Sequence, residues 1–229
     1  MLSIAVIVPV LNESGQIGEL LASLGAHEFS ERIVVDGGST DETAEIAAHH
    51  GGVTVVAAPR DRGMQLNAGA AAATADVFVF LHADTRLPPG ACETIRRTLA
   101  GTNVAGGSFR LRFDNANPAL AAYSFFSRFD TAFTTFGDQA YFMTTATFRS
   151  CGGFPDWPFL EDVELRRRIR RAGRFVKADA TVVTSARRFV AEGIFKRQLL
   201  NLSILALHLA GVPATRLTWF YTARSATDP

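Results

Sequence analysis

Short apolar runs alternate with helical segments four times within the first ninety residues. The runs are Ile4–Leu11, Arg32–Val35, Val53–Ala57 and Val77–Leu81. Strands that are apolar on both faces are typical of a parallel sheet that helices cover on both sides. The sequence therefore predicts an α/β fold with an open, mostly parallel sheet. A capping box over Ser39–Glu42 is expected to start the second helix.

The second half of the chain has a different pattern. Phe109, Leu111 and Phe113 alternate with Arg110 and Arg112, which predicts a half-exposed, antiparallel strand. Phenylalanines at helical spacing follow and are predicted to pack in the core: Phe125, Phe126, Phe129, Phe133 and Phe136.

Near the end, Ile194–Ala210 predicts a helix that is apolar nearly all round after Leu199. This helix is expected to be buried or to form a homodimer face. Peripheral contact of this helix with the inner face of a membrane is an alternative, although the basic residues of the helix lie at one end only.

Size and charge limit the partners. A chain of 229 residues is long enough for one sizeable core, so a single domain over 1–229 is predicted. The net charge of +1 gives no basic field of the kind that binds nucleic acid. Cys92 and Cys151 cannot form a disulfide scaffold, and no apolar run is long enough to span a bilayer. A cytoplasmic location is therefore expected.

Acidic residues follow three of the predicted strands, at Glu13, Asp36 and Asp84. The carboxyl ends of parallel strands meet at one edge of the sheet, where such folds bind ligands. Carboxylate oxygens suit a hard divalent cation, Mg²⁺ or Mn²⁺, which commonly brings phosphates with it. The glycine-rich dinucleotide and P-loop motifs and the serine-hydrolase elbow are absent from the sequence.

Four short motifs follow one another along the chain: Val8–Glu13, Val35–Thr43, Leu81–Thr85 and Leu160–Asp162. Together they resemble a family 2 glycosyltransferase of the GT-A fold, over about residues 3–190. Two further segments, Pro59–Gly69 and Thr184–Arg188, resemble a small bacterial subgroup associated with arsenosugar-type biosynthetic clusters.

The resemblance implies a nucleotide-diphosphate sugar donor, with a UDP-sugar as the first candidate. It implies that about residues 1–100 bind the nucleotide and about residues 101–229 bind the acceptor. The residues implied to contact the donor are Pro9, Asn12, Glu13, Asp36, Gly38, Arg60, Gln65, Asn67, His82, Ala83, Asp84, Arg187 and Arg188. Asp36 and Glu13 are also explained by a turn and by a helix start, respectively.

By the same resemblance, Asp84 is the last acid of an Asp-x-Asp motif, which binds the divalent cation bridging the diphosphate. His82 stands where the first acid of that motif usually lies. Three roles are open for His82. Its imidazole is a metal ligand, softer than a carboxylate and favouring Mn²⁺, or it contacts the nucleotide, or it is structural.

The resemblance makes Asp162 the general base that deprotonates the acceptor hydroxyl, with Glu161 orienting it or contacting the acceptor. A helix N-terminus would also favour two acids at these positions. The residues implied near the donor sugar or acceptor are Gly137, Asp138, Gln139 and Trp157.

The function expected is metal-assisted, inverting sugar transfer to a small-molecule or lipid-linked acceptor. A nucleotide-sugar-binding regulator or degenerate transferase is one alternative, which His82 keeps open. A nucleotidyltransferase is another, although a Gly-x-Gly-x-Arg-like loop does not follow the first predicted strand.

Overall fold

The computed structural model describes residues 1–217, which form one eight-stranded sheet flanked by helices. The strands are β1 (Ile4–Val10), β2 (Glu31–Asp36), β3 (Val53–Ala57), β4 (Val77–Phe80), β5 (Thr85–Arg86), β6 (Val104–Phe113), β7 (Tyr141–Thr144) and β8 (Arg174–Thr184). The helices are α1 (Ser14–Leu24), α2 (Thr43–His49), α3 (Arg62–Ala72), α4 (Ala91–Leu99), α5 (Pro118–Phe126), α6 (Thr145–Ser150), α7 (Glu161–Ala172), α8 (Arg187–Glu192) and α9 (Ile194–Leu209). A 3₁₀ turn, Gly137–Gln139, precedes β7.

The sheet has the order β3-β2-β1-β4-β7-β6-β8-β5, and its first four strands are parallel. Strand β1 explains the arrangement, because its alternate residues enter opposite cores. Val6 and Val8 pack on one side of the sheet, whereas Ala5 and Ile7 pack on the other. A strand buried on both faces reads as a continuous apolar run. The predicted α/β class with a mostly parallel sheet is confirmed.

Strand β6 differs in part from the expectation. It pairs antiparallel with β7 only around Gly106 and Gly107, and its long partner is β8, which runs parallel. The prediction of an antiparallel strand is therefore wrong for the longer pairing. A parallel return needs a crossover connection, and the chain between β6 and β8, which includes α5, β7, α6 and α7, provides one. The alternation itself is confirmed, since Phe109 is buried and Arg112 is exposed.

The capping box is not formed. Helix α2 begins at Thr43, and its N-cap residue Glu42 makes no side-chain capping bond. The Ser39 hydroxyl instead donates to Asp36 Oδ1. The Ser39 N–H also donates to the Asp36 carboxylate, so Ser39 orders the loop after β2.

The aromatic segment is not a core element. The exposed fractions of Phe125, Phe126, Phe129 and Phe133 lie between 47 and 53 %. Leu120 is the buried residue of α5. The helix ends at Phe126, so Phe129 and Phe133 lie in the irregular segment after it, and the described residues leave all four rings about half exposed. Phe136 is partly buried and lines a cavity described below.

Helix α9 is also less buried than predicted. Ile204 and Leu205 are its buried residues, whereas Phe195 and Leu199 are exposed. Within residues 1–217, we find no helix with the length and apolar character required to cross a membrane.

Candidate active site

A cavity of about 210 Å³ lies beyond the carboxyl end of β4. Its charged side chains and imidazole are Arg62, His82, Asp84, Asp138, Glu161, Asp162, Arg188 and Arg197. They come from the start of α3, the loop after β4, the 3₁₀ turn, the start of α7 and the helices after β8. The structure thus brings together acids that are separated by up to 78 positions in the sequence (from 84 to 162).

Asp162 is held by two backbone donors. Its Oδ2 accepts a hydrogen bond of 2.6 Å from the Gly137 N–H, and its Oδ1 accepts one of 2.8 Å from the Val163 N–H. Each carboxylate oxygen has two lone pairs, so capacity remains for a substrate hydroxyl. The geometry therefore orients the carboxylate in the cavity without saturating it.

Gly137 fits a narrow space between two site residues. A Cβ at this position would stand 3.3 Å from Asp162 Oδ2 and 3.5 Å from His82 Nε2. Asp162 and His82 consequently face each other across a residue without a side chain, and the backbone of Gly137 can approach the carboxylate closely.

Glu161 is buried, with only 3 % of its surface exposed, and lies 3.6 Å from Arg62 Nη1. Burial raises the pKa of Glu161 to about 7, although the Arg62 charge opposes the shift and the Asp162 charge adds to it. Glu161 is thus placed beside Asp162 and tied to the start of α3.

Asp138 is a second carboxyl with a raised pKa. Burial, followed by the Asp162 charge, raises its pKa to about 7, while Lys177 opposes the shift. Its Oδ1 is buried and accepts no hydrogen bond from the described residues. Burial likewise lowers the pKa of Lys177 to about 7, and its ammonium donates to Gln139 Oε1 and to Ser108 Oγ.

The substitution Asp138→Asn should stabilise the protein in a pH-dependent way. The folded-state pKa of Asp138 is raised, so the native wild type loses stability relative to its unfolded state as pH rises from about 4 to about 7. The variant has no carboxyl to ionise, and its advantage should reach about 1–3 kcal/mol at pH 8 and vanish near pH 4. Urea unfolding of both proteins at pH 4.5, 6 and 8 measures this difference. A stability difference that is the same at all three pH values would contradict the assignment.

His82 is neutral in this setting. Desolvation, with smaller contributions from the Arg62 and Arg188 charges, lowers its pKa well below the usual value. A neutral imidazole keeps one nitrogen as an acceptor or metal ligand. Both the nucleotide-contact and the ligand interpretations of His82 therefore agree with its chemistry.

The described residues contain no group of three or more His, Cys, Asp or Glu side chains arranged to hold a metal ion. Mg²⁺ in nucleotide sites is usually bound by one or two carboxylates together with substrate phosphates and water. Asp84, with neutral His82 in the same cavity, fits a cation that is shared with a diphosphate and does not form a protein-only cage. Asp84 as the metal ligand stays a prediction.

The predicted nucleotide end of the site lies on the neighbouring rim. Asp36 is buried and accepts from the Gly38 N–H at 3.1 Å, while Asn12 has a positive φ of 53° and accepts from the Thr40 N–H at 2.9 Å. Glu13 pairs with Arg187 at 3.1 Å and Arg188 at 3.5 Å. Because Arg188 also lines the cavity, it connects this rim to the acidic cluster.

Several residues predicted to contact the donor lie in the scaffold. The Gln65 amide donates to the carbonyl oxygens of Val10 (2.9 Å) and Val35 (2.8 Å). It thus ties the carboxyl ends of β1 and β2 together. The Asn67 amide makes two bonds, of 2.9 and 3.0 Å, with the backbone of Phe154.

Other predicted positions lie outside the cavity lining. Pro9 is part of β1, Ala83 is buried in the loop after β4, and Arg60 is exposed before α3. Gln139 is buried against Lys177, and the Trp157 ring packs edge-on against the ring of His208, with centroids 5.4 Å apart. The structure does not bring Trp157 or Gln139 to the cavity surface.

Sequence reasoning missed one charged residue that lines the cavity, Arg62, and one that lies beside it, Lys177. Arg62 lines the cavity because Asp61 caps α3, accepting from the Met64 N–H at 2.8 Å. The cap was a usable signal, since it places Arg62 at the helix start beside the predicted Arg60. Lys177 lies within β8, and no local sequence feature distinguishes it.

Comparison with known families gives a match for the model described as "Glycosyl transferase family 2" over residues 5–155. An uncharacterized glycosyltransferase of Mycobacterium tuberculosis is 35 % identical over 88 residues, which is 38 % of this chain. The aligned part spans only 39 % of that relative's own length. The family match contains Asp36 and Asp84 and ends before Asp162.

Solved structures show the same fold. The mannosyltransferase PcManGT from Pyrobaculum calidifontis, in complex with GDP-Man and Mn²⁺, has a TM-score of 0.71 at 20 % identity, covering 93 % of this chain and 66 % of that one. Glucosyl-3-phosphoglycerate synthase from Mycobacterium tuberculosis, in complex with Mn²⁺, UDP and phosphoglyceric acid, has a TM-score of 0.66 at 21 % identity, covering 93 % and 80 %. At this identity the similarity establishes the GT-A architecture.

Proposed function

Because the chain belongs to glycosyl transferase family 2, we propose that it transfers a sugar from a nucleotide-diphosphate donor to an acceptor. A UDP-sugar is the first candidate for the donor. The observation that carries the proposal is that Asp84 and Asp162 line one cavity. A donor diphosphate bound at Asp84 and an acceptor hydroxyl bound at Asp162 would be adjacent. Assignment to the arsenosugar-cluster subgroup is supported by the Pro59–Gly69 and Thr184–Arg188 segments alone.

On the donor side, about residues 1–100 supply the nucleotide contacts. Asp36 and Glu13 would receive the nucleoside, and Arg188 lies between that rim and the cavity. Asp84 and His82 would hold a divalent cation, Mg²⁺ or Mn²⁺. When bound, such a cation neutralises charge on the leaving diphosphate. Both similar structures were obtained with Mn²⁺ and a GDP- or UDP-containing ligand, which supports this assignment.

On the acceptor side, Asp162 takes the proton of the acceptor hydroxyl. The acceptor oxygen forms a bond to the anomeric carbon while the bond from that carbon to the phosphate oxygen breaks, and its electron pair leaves with the nucleoside diphosphate. The Gly137 and Val163 N–H groups hold the carboxylate in position. A general base must lie within hydrogen-bond reach of the hydroxyl. A single displacement of this kind inverts the anomeric centre.

A turnover assay tests the proposal. The protein is incubated with Mn²⁺, a panel of UDP- and GDP-sugars, and polar and lipid cell extracts as acceptors. We expect release of UDP or GDP together with a glycosylated product. Pyrophosphate release from a nucleoside triphosphate would instead assign a nucleotidyltransferase. Tight nucleotide-sugar binding without turnover of any donor would assign a regulator or a degenerate transferase.

A further inference from the structure

A second cavity, of about 400 Å³, lies between α5 and α9. We call it the outer groove, and it is defined by Tyr123, Phe126, Phe133, Ile194, Phe195 and Gln198. No charged side chain lines it among the described residues. Its surface is therefore suited to an apolar ligand.

The aromatic walls of the outer groove are open to solvent. The exposed fractions are 53 % for Phe126, 49 % for Phe133 and 81 % for Phe195. Large apolar patches on a protein surface commonly mark a binding site, because exposing them to water is unfavourable. Phe126 lies on α5 and Phe195 on α9, so the open aromatic rings flank the groove on two sides.

The outer groove adjoins the candidate active site. Tyr123 and Gln198 line both cavities. The Tyr123 ring packs edge-on against Phe113 at 5.4 Å between centroids, and Phe113 and Leu202 are among the apolar residues of the inner cavity. Together the two adjoining cavities offer a ligand path from the acidic cluster around Asp162 to the apolar surface between α5 and α9.

A polar acceptor would use only the inner end of this path. An amphiphile would use all of it, with its reacting hydroxyl at Asp162 and its chain between α5 and α9. We propose that the acceptor of this enzyme carries a hydrocarbon chain that lies in the outer groove. The proposal rests on the proposed function, since it identifies the class of acceptor for that same site.

Binding of a dansyl-labelled C12 alcohol to the full chain, followed by fluorescence, tests the proposal. Unlabelled C4, C8 and C12 alcohols should displace the probe with affinities that rise about fourfold per methylene. The substitutions Phe126→Gln and Phe195→Gln should each weaken probe binding at least tenfold.

Matched controls are available on the same two helices. Phe125 and Leu199 have exposed fractions of 49 and 68 %, and neither lines the outer groove. Phe125→Gln and Leu199→Gln should leave the probe affinity within twofold of wild type. Circular dichroism of all four variants checks that each is folded. Equal losses in groove and control variants, or no probe binding by wild type, would overturn the proposal.

Other occupants give distinct results. If the groove variants convert a dimer to a monomer and do not alter probe binding, the groove belongs to a second copy of the chain. If wild type binds no probe and only the groove variants lose thermal stability, the groove is filled by the chain's own residues 218–229. Either result would overturn the proposal.

Nucleotide binding separates this inference from the proposed function. Calorimetry of wild type with UDP and GDP, in the presence of Mn²⁺, reports on the donor site alone. Nucleotide binding without probe binding would overturn the proposal of a hydrocarbon-bearing acceptor and leave the proposed transferase function intact. Probe binding without nucleotide binding or donor turnover would overturn the proposed transferase function, and with it the role of the outer groove as an acceptor site.

Discussion

Replacing Asp162 with Asn should lower kcat for sugar transfer by roughly 10²–10⁴-fold, the range typical of losing a general base. Asparagine has nearly the same shape and keeps an oxygen that can accept the Gly137 N–H, now 2.6 Å from Asp162 Oδ2. It cannot take a proton from the acceptor. The KM for the donor should change little, because the predicted donor contacts lie elsewhere. Release of UDP or GDP under saturating donor measures kcat.

The matched control for this prediction is Asp156→Asn. Asp156 is an exposed acid six positions upstream, outside the cavity lining. Its substitution should leave kcat within twofold of wild type. A folded Asp162→Asn variant that transfers sugar at the wild-type rate would exclude Asp162 as the base.

Replacing Asp84 with Ala should remove the metal dependence of nucleotide binding. The carboxylate is a hard oxygen ligand in the same cavity as His82, and loss of a charged ligand weakens divalent-cation binding by orders of magnitude. We expect the affinity for UDP or GDP with Mn²⁺ to fall about 100-fold, which corresponds to about 2.7 kcal/mol. Without Mn²⁺, the variant and wild type should bind the nucleotide equally weakly. Calorimetric titration with and without Mn²⁺ measures both quantities.

The control for Asp84 is Asp179→Ala. Asp179 is exposed on β8 and paired with Arg110 at 2.8 Å, outside the cavity lining. This variant should keep the full gain in affinity from Mn²⁺. If Asp84→Ala keeps the same gain as the control, the cation is held by other groups.

The parallel half of the sheet was predictable because a strand that is buried on both faces has a continuous run of apolar residues in the sequence. In β1, every residue from Ile4 to Val8 is buried, and the apolar run shows it. The parallel pairing of β6 with β8 was not predictable, because the alternation in β6 reports exposure and carries no information on strand direction. The phenylalanines near α5 were misassigned for a related reason. Helical spacing shows neither that the helix ends at Phe126 nor what covers the rings.

The candidate site was predictable where residues belong to short motifs. Asp84 and Asp162 were singled out from motifs, and the fold places both in one cavity. Gln65 was expected to contact the donor, yet its amide bonds to Val10 and Val35 are scaffold contacts that depend on how α3 packs. Lys177 lies beside Gln139 and Ser108 through the register of β8 against β6, which the sequence does not reveal.

In the proposed reaction, one cavity joins a donor diphosphate at Asp84 to an acceptor activated by Asp162 in a single displacement. Proton nuclear magnetic resonance of the donor's anomeric proton, followed through a reaction with wild-type protein and Mn²⁺, tests it most directly. We expect consumption of a UDP- or GDP-sugar and a product whose anomeric configuration is opposite to that of the donor. A product that retains the donor's configuration, or a donor that stays intact with every acceptor, would contradict it.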